Sequence, residues 1–216
     1  MKLRTATALA LLVLTSALVP AQQNRNIVCA CQIPNGPPNP YPYLVGYLGV
    51  YRPADWMTLA KTLDFTKMTH LNLAFINPPL CNGPCTPKSD MTLHANPTFT
   101  DVALKAIVDE AHAHGTKVLA SLGGDGGDRT YMQFYNAGLS IQIADAVNAY
   151  VKKHNLDGVD VDIEQPKQMG VPFTEFVEAL VGRLHPEGKL VTAAVAQYIQ
   201  AVLRMRSFNS STSSMS

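Results

Sequence analysis

The sequence predicts an α/β fold built on a parallel sheet, and three observations carry that expectation. Short apolar runs rich in β-branched residues alternate with amphipathic helical patterns along the chain. One of these runs, Gly158 to Glu164, holds carboxylates at every second position of an otherwise apolar stretch. The net charge is +1, from 17 basic and 16 acidic residues, and 47% of residues are hydrophobic, so the chain has material for a core and no basic excess for nucleic acid. No internal repeat is evident, and one domain is the natural count.

At the N-terminus, Lys2 and Arg4 precede an apolar segment from Ala6 to Val19, and Ala21 follows Val19-Pro20 as a cleavage residue. Residues 1–21 thus read as a secretory signal peptide, which implies a secreted, extracellular protein with no membrane association after cleavage. The segment is short for a bilayer span. Residues 22–43, rich in Pro and Asn, read as an extended lead-in. Strands are expected at Leu44 to Tyr51, His70 to Ile76, Lys117 to Gly123, Gly158 to Glu164 and Lys189 to Ala196. Between them the spacing predicts helices over Asp55 to Leu63, Thr100 to His114, Ser140 to His154 and Phe173 to Leu184. The second helix is well punctuated: Thr100 suits an N-cap, Leu104, Ile107, Val108 and Ala111 share one face, and Gly115 is the stop. The span 201–216 loses all apolar periodicity and reads as a disordered tail, with a glycosylation acceptor at Asn209-Ser210-Ser211.

The fourth strand carries the chemistry. Alternation sends Val159, Val161 and Ile163 to one face and Asp160, Asp162 and Glu164 to the other, with Glu164 at the C-terminal end. An exposed edge strand would also place acids in water, but a solubilising face more often mixes Lys or Thr into the row, and here no cation interrupts it. Carboxylates two residues apart have Cα atoms roughly 6.8 Å apart. At an effective dielectric near 20 they repel by about 2.5 kcal/mol, enough to keep one acid of the row protonated near neutral pH. A protonated carboxyl at the strand tip can donate to a leaving group, which makes Glu164 the candidate general acid, with Asp162 sharing the proton and Asp160 supporting Asp162.

The run Asp157-x-x-Asp160-x-Asp162-x-Glu164 resembles the signature of family-18 glycoside hydrolases, the chitinases and their relatives. Upstream, Ser121-Leu122-Gly123-Gly124 resembles the Ser-x-Gly-Gly that ends the preceding strand in that family. The resemblance implies a (β/α)8 barrel with its site at the C-terminal strand ends. It also implies a retaining, substrate-assisted mechanism in which the N-acetyl oxygen attacks C1, one of the exceptions to the two-carboxylate scheme. By position, Glu164 would be the acid/base, Asp162 would orient the acetamido group and Asp160 would support it. Asp157 and Ser121 would be structural. Tyr47, Phe75, Gly123 and Gly124 resemble positions lining the sugar site, although core packing explains Tyr47 and Phe75 equally well. The implied partners are chitin or N-acetylglucosamine oligosaccharides, with no cofactor and no metal.

About five of eight βα units can be read, over residues 44–200. A sixth strand with a Met-x-Tyr-Asp-like segment and a late Trp, both expected from the resemblance, are not found, and Trp56 is the only tryptophan. The expectation is a truncated or misjoined relative that diverges near Gln197 to Gln200. A catalytically inactive homologue, either a lectin-like sugar binder or a non-functional fragment, is therefore the alternative to an active hydrolase. A metal-dependent sugar transferase using Asp160 and Asp162 explains neither the Ser-x-Gly-Gly run nor the signal peptide. The stretch Gly123 to Asp128 lacks the Lys of a phosphate cradle and reads as a sugar-approach loop. Among four cysteines, Cys81 with Cys85 would close a small loop, whereas Cys29 and Cys31 are too close to bridge comfortably and could pair with the other two or with another chain. Neither cysteine spacing suits zinc.

Overall fold

Five parallel strands form one sheet in the order β1 (Val45–Gly49), β2 (His70–Ala74), β3 (Lys117–Gly123), β4 (Gly158–Asp162) and β5 (Leu190–Ala193). This computed structural model describes residues 43–124, 126–163 and 166–194, with the backbone alone at 166–169. The leader, the lead-in up to residue 42, Cys29, Cys31, Glu164 and the tail expected from the sequence lie outside the described residues. Each strand pairs with its neighbour in sequence, and helices fill the connections, so the architecture is an α/β fold matching an incomplete (β/α)8 barrel.

Alternation along the strands sorts the sheet into two faces. Leu71, Leu73, Val118, Ala120, Leu122, Val159, Val161 and Val191 are buried on the face that packs against the helices. That core receives Leu104, Ile107, Val108 and Ala111 from α2 (Asp101–Ala113), the four positions expected from its spacing. Thr100 caps the helix by accepting from the Ala103 N–H at 3.3 Å, and Gly115 follows its end with φ 76°. Asp55 likewise caps α1 (Trp56–Thr62), accepting from Thr58 N–H at 3.0 Å. Trp56 is buried against Phe99, with its indole N–H on Thr98, so it belongs to the core. The opposite sheet face carries Tyr47, His70, Asn72, Ser121, Asp160, Asp162 and Thr192.

The helices depart from expectation in two places. A helix α3 (Asp128–Asn136) precedes α4 (Ser140–Lys153), where the sequence reading ended the Gly-rich stretch as a loop. Its apolar residues Tyr131, Met132, Phe134 and Tyr135 recur at helical spacing and are all buried, Tyr131 and Tyr135 against Phe176. The last helix, α5 (Pro166–Leu184), begins before the expected Phe173 but is interrupted at Gly170 (φ 40°, ψ −153°), just ahead of Pro172. The break explains why regular periodicity starts only at Phe173. Cys81 and Cys85 form a disulfide in the loop after β2.

Gly158 opens β4 with φ 153°, and a Cβ there would collide with the carbonyl oxygen of Leu190 on β5. Gly158→Ala is therefore expected to destabilise the domain by about 2–4 kcal/mol. Chemical denaturation followed by circular dichroism checks this through the shift of the midpoint.

Candidate active site

Asp160 is buried and held by side chains from three other strands. Register places Ser121, Asp160 and Thr192 side by side on β3, β4 and β5. Ser121 Oγ donates to Asp160 Oδ2 at 2.9 Å, and Thr192 Oγ1 donates to Oδ1 at 2.7 Å. A third hydroxyl, Tyr47 OH, donates to Oδ2 at 3.0 Å from β1. In a flat sheet β1 and β4 would stand roughly 14 Å apart, too far for these two side chains to meet, so the contact records the curl of the sheet. Asp160 is 3% exposed, and three hydroxyl donors satisfy a carboxylate that would otherwise be costly to bury.

Tyr47 registers the charge of the row. Although Tyr47 is 53% exposed overall, its phenol is pushed up to about 12, first by desolvation and then by the Asp160 carboxylate, with a smaller push from Asp162 and an opposing hydrogen bond from Asn72. Asp162 thus lies on the same face, at the C-terminal end of β4, and is half-buried. Ile163 packs into the core at 1% exposure, as alternation requires, and the next residue, Glu164, is outside the described part. Asp157 sits at the other end of the strand. Its Oδ2 accepts from Val118 N–H at 2.8 Å and pairs with His112 Nε2 at 2.8 Å, tying β4 to β3 and α2 away from the tip.

The turn after β3 closes on the tip. Gly124 N–H donates to the Asp162 carbonyl at 2.7 Å. Gly123 (φ 97°) and Gly124 (φ 73°) take the left-handed region, and a Cβ on either would strike the Asp162 carbonyl or the Phe75 ring, respectively. Phe75, reached through a cis peptide from Ala74, stacks on Tyr51 with centroids 6.4 Å apart and planes 16° apart. Tyr51 is 53% exposed and carries the Arg52 guanidinium 5.2 Å from its ring centre. Two hollows bear on the site. One of about 150 Å³ is lined by Tyr47, His70, Asn72, Leu119, Asp160 and Thr192. The other, about 610 Å³, lies between residues 91–99 and α4 and touches neither Asp160 nor Asp162.

The structure therefore joins Tyr47, Ser121 and Asp160 directly, brings Gly123, Gly124 and Phe75 to the tip beside Asp162, and sets Asp157 apart. Thr192 and Tyr51 were missed by sequence reasoning. Thr192 left one signal, a hydroxyl within the apolar Leu-Val-Thr-Ala run, and Tyr51 left only its position at the end of the first strand.

The sequence model of the glycosyl hydrolases family 18 matches residues 43–211. The chain belongs to that family. Among solved structures this family-18 domain is similar to a chitinase from the chitin utilization locus of Flavobacterium johnsoniae, at 26% identity and a TM-score of 0.52, covering 70% of this chain and 45% of that one. It shares its fold with catalytic domain 2 of the Ostrinia furnacalis group II chitinase, solved as a mutant with penta-N-acetylchitooctaose. That match has 21% identity and a TM-score of 0.56, over 73% of this chain and 44% of the other. A chitinase-like agglutinin from Robinia pseudoacacia shares the fold too, at 21% identity and a TM-score of 0.51, over 70% and 46%. The family-18 chain thus spans about half the length of these solved relatives. No curated protein matches it.

The Tyr47 phenol supplies a direct check on this geometry. Its ionisation, followed by NMR of the ring carbons, is expected near pH 12, and Asp160→Asn is expected to bring it towards the ordinary value of 10. Because the folded value lies above the ordinary one, the stability tied to the neutral phenol is present below pH 10 and lost as the pH rises towards 12.

Proposed function

We propose that this domain is a chitinase-type glycoside hydrolase that cleaves β-1,4-linked N-acetylglucosamine polymers with retention of configuration. The observation that carries the reading is the Asp160 carboxylate, held by Tyr47, Ser121 and Thr192 directly beneath Asp162 at the strand tip. Glu164, two residues further along the same alternation, protonates the glycosidic oxygen. The acetamido carbonyl oxygen of the substrate attacks C1 as the leaving group departs, forming an oxazolinium ion. Glu164 then takes a proton from the water that reopens the ring. Asp162 accepts from the acetamido N–H, holding the nucleophilic oxygen near C1 and offsetting the positive charge that develops. Asp160 keeps Asp162 in place from below. Tyr51 and Phe75 offer aromatic surface beside the tip for a pyranose ring.

The reading extends to location and organisation. Residues 1–21 direct secretion, 22–43 lead into the barrel, 44–200 carry the catalytic fold and 201–216 form a tail. The substrates are chitin or its oligosaccharides. The relative crystallised with a chitooligosaccharide supports that substrate class, and the family-18 agglutinin marks the competing reading, a sugar binder without hydrolysis.

Hydrolysis of a fluorogenic chitotriose glycoside by the chain from Gln22 to Ser216 separates the two. Glu164→Gln is expected to lower kcat by about 10²- to 10⁴-fold while sugar binding survives. Asp162→Asn is expected to lower kcat less. Hydrolysis that survives Glu164→Gln contradicts the assignment, and binding without hydrolysis in the wild type supports the agglutinin-like reading.

A further inference from the structure

Asn77 makes a two-point clasp that the acidic motif does not account for. It follows β2, and its backbone pairs with His94 in both directions, at 3.0 and 3.1 Å, so the residue is anchored independently of its side chain. The side-chain amide then engages both backbone groups of Gly123. Gly123 N–H donates to Asn77 Oδ1 at 2.8 Å, and Asn77 Nδ2 donates to the Gly123 carbonyl at 2.9 Å. From the other side Gly127 leans so closely on the clasp that a Cβ there would strike both the Gly123 carbonyl and Asn77 Nδ2. Beyond the clasp, Gly123 packs on the Asp162 carbonyl and Gly124 N–H donates to it. A continuous chain of short contacts thus runs from the loop after β2 through the Asn77 amide and the Gly123-Gly124 turn to Asp162.

We propose that Asn77 is a positioning residue: its amide locks the Gly123-Gly124 turn against the tip of β4 and so sets the place of Asp162, without itself touching substrate. The role in positioning Asp162 rests on the function proposed above; the locking of the turn does not. The chemistry of the side chain is demanding. The clasp needs one acceptor and one donor on two separate atoms held in a plane, which an amide supplies, a serine hydroxyl with both functions on one oxygen does not, and an apolar side chain cannot. A protonated Asp supplies both. An ionised Asp keeps the acceptor, loses the donor and faces the Gly123 carbonyl with a negative charge.

Asn77→Asp is therefore a clasp that pH can open. The charged form is disfavoured in the fold, so the carboxyl of the variant titrates above its ordinary value of about 3.9. The clasp is present below that value and lost as pH rises through the raised one. Amide hydrogen exchange of the whole chain, expressed as protection relative to an unstructured peptide, reads the Gly124 N–H. In Asn77→Asp, Gly124 is expected to be protected as in wild type near about pH 4 and to lose about tenfold protection by about pH 7. Asn77→Leu is expected to lack protection at both. With a chitotriose glycoside, kcat of Asn77→Asp is expected to fall about 10- to 100-fold at neutral pH and to recover relative to wild type as pH falls, with KM within about twofold. Unchanged Gly124 protection in both variants overturns the inference whatever the activity. Lost protection with wild-type kcat overturns the positioning role and leaves Asn77 a structural residue. A wild type that binds sugar without hydrolysing it overturns the proposed function, while the exchange of Gly124 still decides whether Asn77 locks the turn.

Discussion

The buried Asp160 carboxylate is the constraint around which the inner face of the sheet is arranged. A carboxylate at 3% exposure is tolerated only when its lone pairs are satisfied, and the three hydroxyls that satisfy it come from three different strands. Ser121 and Thr192 must lie level with it, which fixes the register of β3, β4 and β5. Tyr47 must reach it from β1, which requires the sheet to curl. The apolar face works toward the same end: Val159, Val161 and Ile163 are buried on the opposite side, so a one-residue slip would drive the acids into the core. Charge satisfaction on one face and hydrophobic burial on the other thus demand the same arrangement.

Above Asp160 the constraint passes from side chains to backbone. The Gly123-Gly124 turn, the Asp162 carbonyl and the Phe75 ring approach too closely for any side chain at either glycine, and the Asn77 amide closes the turn from the far side. A site whose geometry rests on backbone contacts between adjacent strand ends varies less than one borne on long side chains. The half-buried Asp162 thereby combines access to the open face with a fixed origin.

Local pattern made much of this fold readable. Strand and helix alternation, the buried face of α2, its Thr100 cap and the short Cys81–Cys85 bridge each depend on residues a few positions apart. What escaped was carried by distant partners or broken periods. Thr192 and Tyr47 meet Asp160 across 32 and 113 residues, and Asn77 meets Gly123 across 46, separations that no periodicity reveals. Helix α3 was hidden behind a glycine-rich lead, although Tyr131, Met132, Phe134 and Tyr135 carried helical spacing. The early part of α5 was concealed by Gly170 and Pro172, which interrupt it. The alternation along β4 placed the acids on one face and Asp157 ahead of the strand, but only the structure separates Asp160, sealed beneath hydroxyls, from Asp162 at the open tip.

The most direct measurement is an NMR titration of the isotopically labelled chain with N,N′,N″-triacetylchitotriose, followed at the side chains of Tyr47, Tyr51, Phe75 and Asp162. A sugar site at the tip of β4 requires saturable shifts concentrated on those residues and weakened by Asp162→Asn. Shifts confined to residues 91–99 and α4, around the larger hollow, or no saturable shift at all, would contradict it.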